Sequence, residues 1–266
     1  MDSVKNNENS VSDSNDACIF IYIYSKGSFT MTCSYDMNTC KNVTAESIIM
    51  EICRKLAITA FQFNAFALRT LKSNIWLSPN RLMDPFDEQR QHLIFRVRFK
   101  PLPQNLDEWK YFDQSGFNYL YEQMVFDFKI GMMMNDTPSN KFVCIYLAML
   151  QYFVECADNH QVPSNDIYDV VCSYIPNDKS CNYEKSYNSI QKIGKYFFNP
   201  KSDSIKTKYP INVLKLQFMR YIFKNIEDYM NEKFITPDQK LVSVVSTDRA
   251  TNIIIECSSP DVIINI

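Results

Sequence analysis

At 266 residues and a formal charge of −2, the chain is long enough for two domains or for several lobes around a substantial core, and its overall charge does not argue for nucleic acid. A hydrophobic fraction of 46% suits packed globular protein, while the only four glycines, Gly27, Gly116, Gly131 and Gly194, stand too far apart for a P-loop, a dinucleotide fingerprint or a kinase glycine loop. Nine cysteines, odd in number and without a CxxC pair, argue against a zinc site or a disulfide framework and for a reduced, cytosolic protein.

The opening residues 1–17 are polar and lack the apolar stretch of a secretory signal, so they read as a disordered tail. From Ile19, IFIYIY runs to the turn SKGS, and FTMTC gives a second strand. Thr44 is placed to cap AESIIMEICRKLA, with Glu46 in the positive first turn and Ile48, Ile52 and Leu56 along one stripe. AFALRT and IWL follow as short strands, then the irregular SPNRLMDPFDEQRQ. In HLIFRVRFK, Phe95, Val97 and Phe99 alternate with Arg96, Arg98 and Lys100. That period of two predicts a strand with one face in the core and its basic face in water, the basic residues serving solubility. The order β-β-α-β-β-β over 18–101 is that of a ubiquitin-like β-grasp lobe.

A proline-bearing connector, 102–114, leads to a change of period from two to 3.6, which marks a lobe boundary. Over 115–236 the pattern predicts an all-helical lobe. Ser115 is positioned to cap a helix whose apolar face holds Phe117, Leu120, Tyr121, Met124, Val125 and Phe128. Ser139 is positioned to cap KFVCIYLAMLQYFVECA, which is apolar nearly all round and belongs at the centre of a bundle. Its apolar run, Phe142 to Val154, is broken by Gln151, followed by Glu155, and too short to span a bilayer. A third helix, PSNDIYDVVCSY, stops before Pro176; a fourth covers Tyr183 to Phe198; a fifth starts at Pro210 and carries Ile211, Leu214, Phe218 and Ile222, with Tyr229 on the same stripe. Over 237–266 LVSVV, NIIIE and VIINI return to strand patterns, the expected start of a third, β-rich lobe cut short by the end of the sequence.

A ubiquitin-like lobe, an all-helical lobe and the start of a β lobe follow the order of a FERM domain. Phe66 to Lys100 resembles the corresponding stretch of Janus kinases, with a tryptophan, a proline and an asparagine ahead of a strand like R-x-R-F. Gly116 to Phe128 is similar to that family's first helix of the second lobe through Tyr119, Leu120, Gln123, Asp127 and Phe128, and SYIPNDKS is similar to a tyrosine-isoleucine-proline element. The resemblance covers about Cys18 to Val245. It implies an α+β fold of the FERM kind: a ubiquitin-like β-grasp lobe, an acyl-CoA-binding-protein-like helical lobe and a PH-like third lobe. It further implies a receptor-docking part, cytoplasmic and peripheral at the inner face of the plasma membrane, whose partner is the juxtamembrane segment of a cytokine-type receptor. No HRD, DFG or VAIK signature occurs, so no catalytic residue, cofactor or metal is expected in this chain, and the kinase of the family would lie downstream. The rival reading is a band 4.1-type linker between membrane proteins or anionic lipid and the cytoskeleton.

Between Lys179 and Lys224 ten basic residues stand against two acidic ones, a local excess in a chain of net −2. Lys185, Lys192, Lys195, Lys206, Lys208, Lys215 and Arg220 are therefore the candidate partner- or lipid-binding residues. Lys185, Lys192 and Lys195 fall within a quarter of one helix circumference, opposite Ile190 and Ile193. Against this stands the plain solvated helix face. Trp76 and Trp109 read as core or lobe-interface anchors, Cys144 and Cys156 as small core hydrophobes, and His92, His160, Asp166 and Asp169 as residues without a ligand set around them.

Overall fold

The computed structural model describes residues 18–26, 28–36, 43–83, 92–101, 105–131, 140–160, 171, 173–175, 210–226, 229–230, 232–235, 241–246 and 253–257. Strand β1 (Cys18–Ser25) pairs antiparallel with β2 (Ser28–Asp36), and Ser25 opposes Ser28. Lys26, between them, has φ of +50°, the left-handed geometry that suits the right-handed twist of a hairpin. Two further strands, β3 (Phe66–Thr70) and β4 (His92–Val97), pair antiparallel with each other, and β4 runs parallel to β1. The sheet order is β2-β1-β4-β3, so β4 is an interior strand.

Helix α1 (Ala45–Lys55) packs Ala45, Ile48, Ile49, Ile52 and Cys53 into the core. Its start follows from the sequence: Thr44 Oγ1 accepts from the Ser47 amide while Ser47 Oγ accepts from the Thr44 amide, a reciprocal capping box. Each buried isoleucine contributes about 1.5–3 kcal/mol of apolar burial. This sheet and helix make the expected β-grasp, with two differences. IWL forms no strand; Trp76 makes a single bridge to Arg69, and the Leu77 amide donates to the Leu68 carbonyl at 2.9 Å. The basic strand also differs from its expected exposure. Strand β4 is buried from Leu93 through Val97 and ends before Arg98, and Arg96 is only 6% exposed. Alternation foretold one wet face, but an interior strand whose end is covered by the next lobe has none.

The stretch 102–114 holds a helix of its own, α2 (Asn105–Phe112), which buries Leu106 and Trp109. Helix α3 (Gln114–Lys129) is capped by Asp113 rather than Ser115, since the Asp113 carboxylate accepts from the Gly116 amide at 2.9 Å. Helices α4 (Asn140–Asp158) and α5 (Ile211–Asn225) pack on each other, with Tyr146 and Tyr221 ring centroids 4.3 Å apart. Phe218 of α5 is wedged edge-on against Tyr121 and Phe128 of α3. Cys144 and Cys156 are buried. A second sheet holds β5 (Glu232–Ile235), β6 (Leu241–Ser246) and β7 (Ile253–Cys257), antiparallel in that order. The fourth helix, VIINI, the Ser139 cap and most of the third helix lie outside the described residues. Among the described residues no helix is long and apolar enough to cross a membrane.

Candidate functional site

The two lobes are joined by a buried polar seam that the residues of α3 create. Tyr119, Gln123 and Asp127 recur every four positions, so they share one face of the helix, and that face meets the ends of β1 and β4. Tyr119 Oη donates to the Phe95 carbonyl at 2.6 Å, and its ring stands edge-on to Phe95 and Phe66. Gln123 acts as a substitute strand: its Oε1 accepts from the Val97 amide at 2.8 Å and its Nε2 donates to the Val97 carbonyl at 3.2 Å. Asp127, with no exposed side-chain surface, accepts from both Arg96 terminal nitrogens, at 3.1 and 2.5 Å, and from Tyr229 Oη at 2.7 Å. Arg96 also donates to Tyr24 Oη. Burial works to depress the Arg96 pKa, but the Asp127 charge and hydrogen bond together with Tyr24 and Tyr229 outweigh it and hold the guanidinium charged. Burial pushes the Tyr24, Tyr119 and Tyr229 hydroxyls up, keeping all three neutral.

A second contact fixes the same junction. Asp113, which caps α3, also accepts from the Thr59 amide at 3.1 Å and the Thr59 hydroxyl at 3.2 Å. One carboxylate thereby ties the segment after α1 to the start of the helical lobe.

The same lobe carries a cavity of about 300 Å³ between α3 and α4. One wall is the face of α3 bearing Tyr121, Glu122, Val125 and Lys129; the other is Gln151, Val154, Glu155 and Asp158, an i, i+3, i+4, i+7 face of α4. Asn159, Lys26 of the β-grasp hairpin and Lys215 of α5 complete the lining. Glu155 is held in place, accepting from Gln151 Nε2 at 3.1 Å and from Tyr174 Oη at 2.7 Å. Burial and the Glu155 hydrogen bond both push the Tyr174 hydroxyl upward, so it stays a donor. That bond to Glu155 fixes the Gln151 amide, and its buried Oε1 is left without a partner. Lys215 Nζ donates to Asn118 Oδ1 at 3.0 Å and lies 5.2 Å from the centre of the Tyr121 ring. Burial lowers its pKa, opposed by the charges of Glu122 and Asp158.

Of the seven basic residues singled out by sequence, Lys215 lines this cavity, whereas Arg220 is ion-paired to Asp107 of α2 and ties α5 to α2. Lys185, Lys192, Lys195, Lys206 and Lys208 lie outside the described residues, as do Asp166 and Asp169. The guanidinium groups of Arg69 and Arg98 lie over the Trp76 ring, 5.6 and 5.5 Å from its centre, and Trp109 is buried. His92 pairs through Nδ1 with Tyr22 Oη at 3.0 Å; His160 is exposed with φ of +54°. From the sequence, Gln151 and Glu155 register only as breaks in an apolar run, and Asp158 not at all. Their signal was present: they are polar positions at i, i+4 and i+7 in a helix otherwise apolar from Phe142 onward.

Comparison with known proteins accords with this arrangement. Residues 18–104 match the family model described as the FERM F1 ubiquitin-like domain. Among solved structures, the chain is similar to the MyTH4-FERM MF2 domain of Dictyostelium discoideum myosin VII, at 14% identity and a TM-score of 0.58, over 85% of this chain and 46% of that one. A mutant form of that domain aligns at 16% identity and a TM-score of 0.59, over 87% and 48%. The chain thus spans about half the length of the solved structures it matches. Its fold is FERM-like, with a ubiquitin-like first lobe followed by a helical lobe.

Proposed function

We propose that this FERM-fold chain is a non-catalytic docking module that holds the membrane-proximal tail of a transmembrane receptor on its helical lobe. The observation that carries the reading is the cavity between α3 and α4, whose mixed lining of lysines, carboxylates and valines suits the side chains of an extended peptide. The locked lobe junction supports it, because a platform that does not reorganise loses less free energy on binding. The Janus-kinase-like residues from Phe66 to Lys100 favour a cytokine-type receptor as the partner, and the basic residues from Lys179 to Lys208 supply attraction to anionic lipid headgroups at roughly 1 kcal/mol per residue near the surface. A second reading, a linker from membrane proteins to the cytoskeleton, is favoured by the recurrence of this fold in a myosin.

Fluorescence-anisotropy titration of the chain against labelled proline-containing juxtamembrane peptides, beside anionic vesicles, separates the readings. Receptor docking requires micromolar or tighter peptide binding that persists at physiological salt and is lost on proline replacement. Vesicle binding without peptide binding would reject it in favour of the linker.

A further inference from the structure

The total charge of the cavity selects nothing, because Glu122, Glu155 and Asp158 are matched by Lys26, Lys129 and Lys215. What singles out one place in it is a pair of touching acceptors on α4. Gln151 is 1% exposed, and its Nε2 donates to Glu155 Oε1 at 3.1 Å, so the two side chains are in direct contact one helical turn apart. Turning the amide over would set a carbonyl against a carboxylate, which commits the Gln151 oxygen to accepting. That oxygen is buried and has no donor. Glu155 is half-buried; its oxygens accept from Gln151 and Tyr174, both neutral, and among the described residues it forms no ion pair. Lys215, the cation that α5 brings to the lining, is engaged with Asn118 Oδ1 and the Tyr121 ring instead. A buried acceptor without a donor and a half-buried carboxylate without a cation thus stand side by side, each at a cost in free energy until one cationic donor meets both.

We infer that the cavity takes one arginine side chain of the docked segment, its guanidinium donating to Gln151 Oε1 and to the Glu155 carboxylate. The inference rests on the docking reading above and names the residue that anchors the segment. A planar guanidinium presents its donors in a fixed fork and serves an amide oxygen and the adjacent carboxylate at once, whereas a lysine ammonium is a compact point charge that holds its water more strongly. Val154, three residues from Gln151 on the same face of α4, gives the arginine methylenes an apolar wall. Asp158, exposed and one turn beyond Glu155, attracts the incoming cation.

The test is an NMR titration of the whole, isotopically labelled chain with N-acetyl-arginine methylamide, and in parallel with its citrulline and lysine counterparts. Citrulline keeps the shape of arginine and loses the charge. Arginine is expected to shift the Gln151 side-chain amide and the backbone amides of residues 151–158, with citrulline about tenfold weaker and lysine about fivefold weaker. Glu155→Gln should weaken arginine about tenfold, and Gln151→Met, which removes the acceptor at similar length, about fivefold. Because the three ligands are compared on the wild type, the outcome does not depend on either variant folding. Arginine binding no better than citrulline or lysine, shifts confined to other parts of the chain, or no shift at about 20 mM arginine overturns the site. Receptor tails that bind the wild type and Glu155→Gln equally, with no response to arginine, would leave the docking reading standing and reject this inference. A response to arginine at residues 151–158 while every tail fails to bind would keep the arginine site and reject the docking reading.

Discussion

Replacing Arg96 by alanine should loosen the molecule where its first two lobes meet. The change removes two charge-assisted bonds to Asp127 and one to Tyr24, and leaves a carboxylate with no exposed surface facing only the Tyr229 hydroxyl. Breaking a buried pair from one side costs about 3–5 kcal/mol, most of it the desolvation of the charge left behind. For a chain of this size about 2–4 °C of melting temperature corresponds to each kcal/mol, so a fall of about 10 °C is expected. Removing both partners together, as Arg96→Met with Asp127→Leu, leaves no orphan charge and should recover much of the loss. Thermal and urea denaturation followed by circular dichroism would measure all three variants against the wild type. A cost for Arg96→Ala below about 1 kcal/mol, the range of exposed pairs, would refute the claim that this ion pair is a buried lock.

Other consequences are local. Gln123→Leu strands the Val97 amide and carbonyl, and a loss of about 1–3 kcal/mol in urea denaturation is expected. A Gly116→Ala methyl would lie 2.7 Å from Asp113 Oδ2 and 3.0 Å from its Cγ, displacing the carboxylate that caps α3 and binds Thr59; a loss beyond the ordinary Gly-to-Ala gain checks this, and a stabilised variant would contradict it. Alkaline pH should destabilise the fold. Burial, then the Asp113 charge, pushes the Cys53 thiol up to about 12, so its contribution is complete below the ordinary thiol value near 9 and is lost as pH rises from there towards 12. The buried hydroxyls of Tyr24, Tyr119 and Tyr229 add the same sense of change above about pH 10, each at up to about 1.4 kcal/mol per pH unit. A urea midpoint that stays level from pH 9 to 11 would contradict the burial of these groups.

Much of the architecture was legible because local signals agreed with one another. The Thr44 cap, the Ile48–Ile52 stripe and the short apolar runs of β1 and β3 each fix an element from neighbouring residues alone. The face of α3 that carries Tyr119, Gln123 and Asp127 was visible as a motif resembling Janus kinases, but its role was not. Whether a polar residue on a helix meets water or another lobe depends on packing across 24 to 31 positions of sequence, and no period encodes that. Arg96 shows the same limit from the other side. Its alternation with Phe95 and Val97 was read as a wet face, whereas Asp127 had already supplied the partner that allows it to be buried. The capping of α3 moved two residues for a related reason, since Asp113 serves Thr59 as well as Gly116. In the α4 wall of the cavity, three polar positions were hidden by the apolar character of the whole helix. Lysine abundance drew attention to residues 179–224 instead, of which Lys215 alone lines the cavity among those described.

The most direct test of the account is hydrogen–deuterium exchange of the whole chain with and without a bound receptor tail. Docking in the α3–α4 cavity predicts added protection in residues 121–129 and 151–159, with the β3 and β4 amides unchanged. Protection confined to β3 and β4, or to the sheet of residues 232–257, with α3 and α4 exchanging as before, would contradict it.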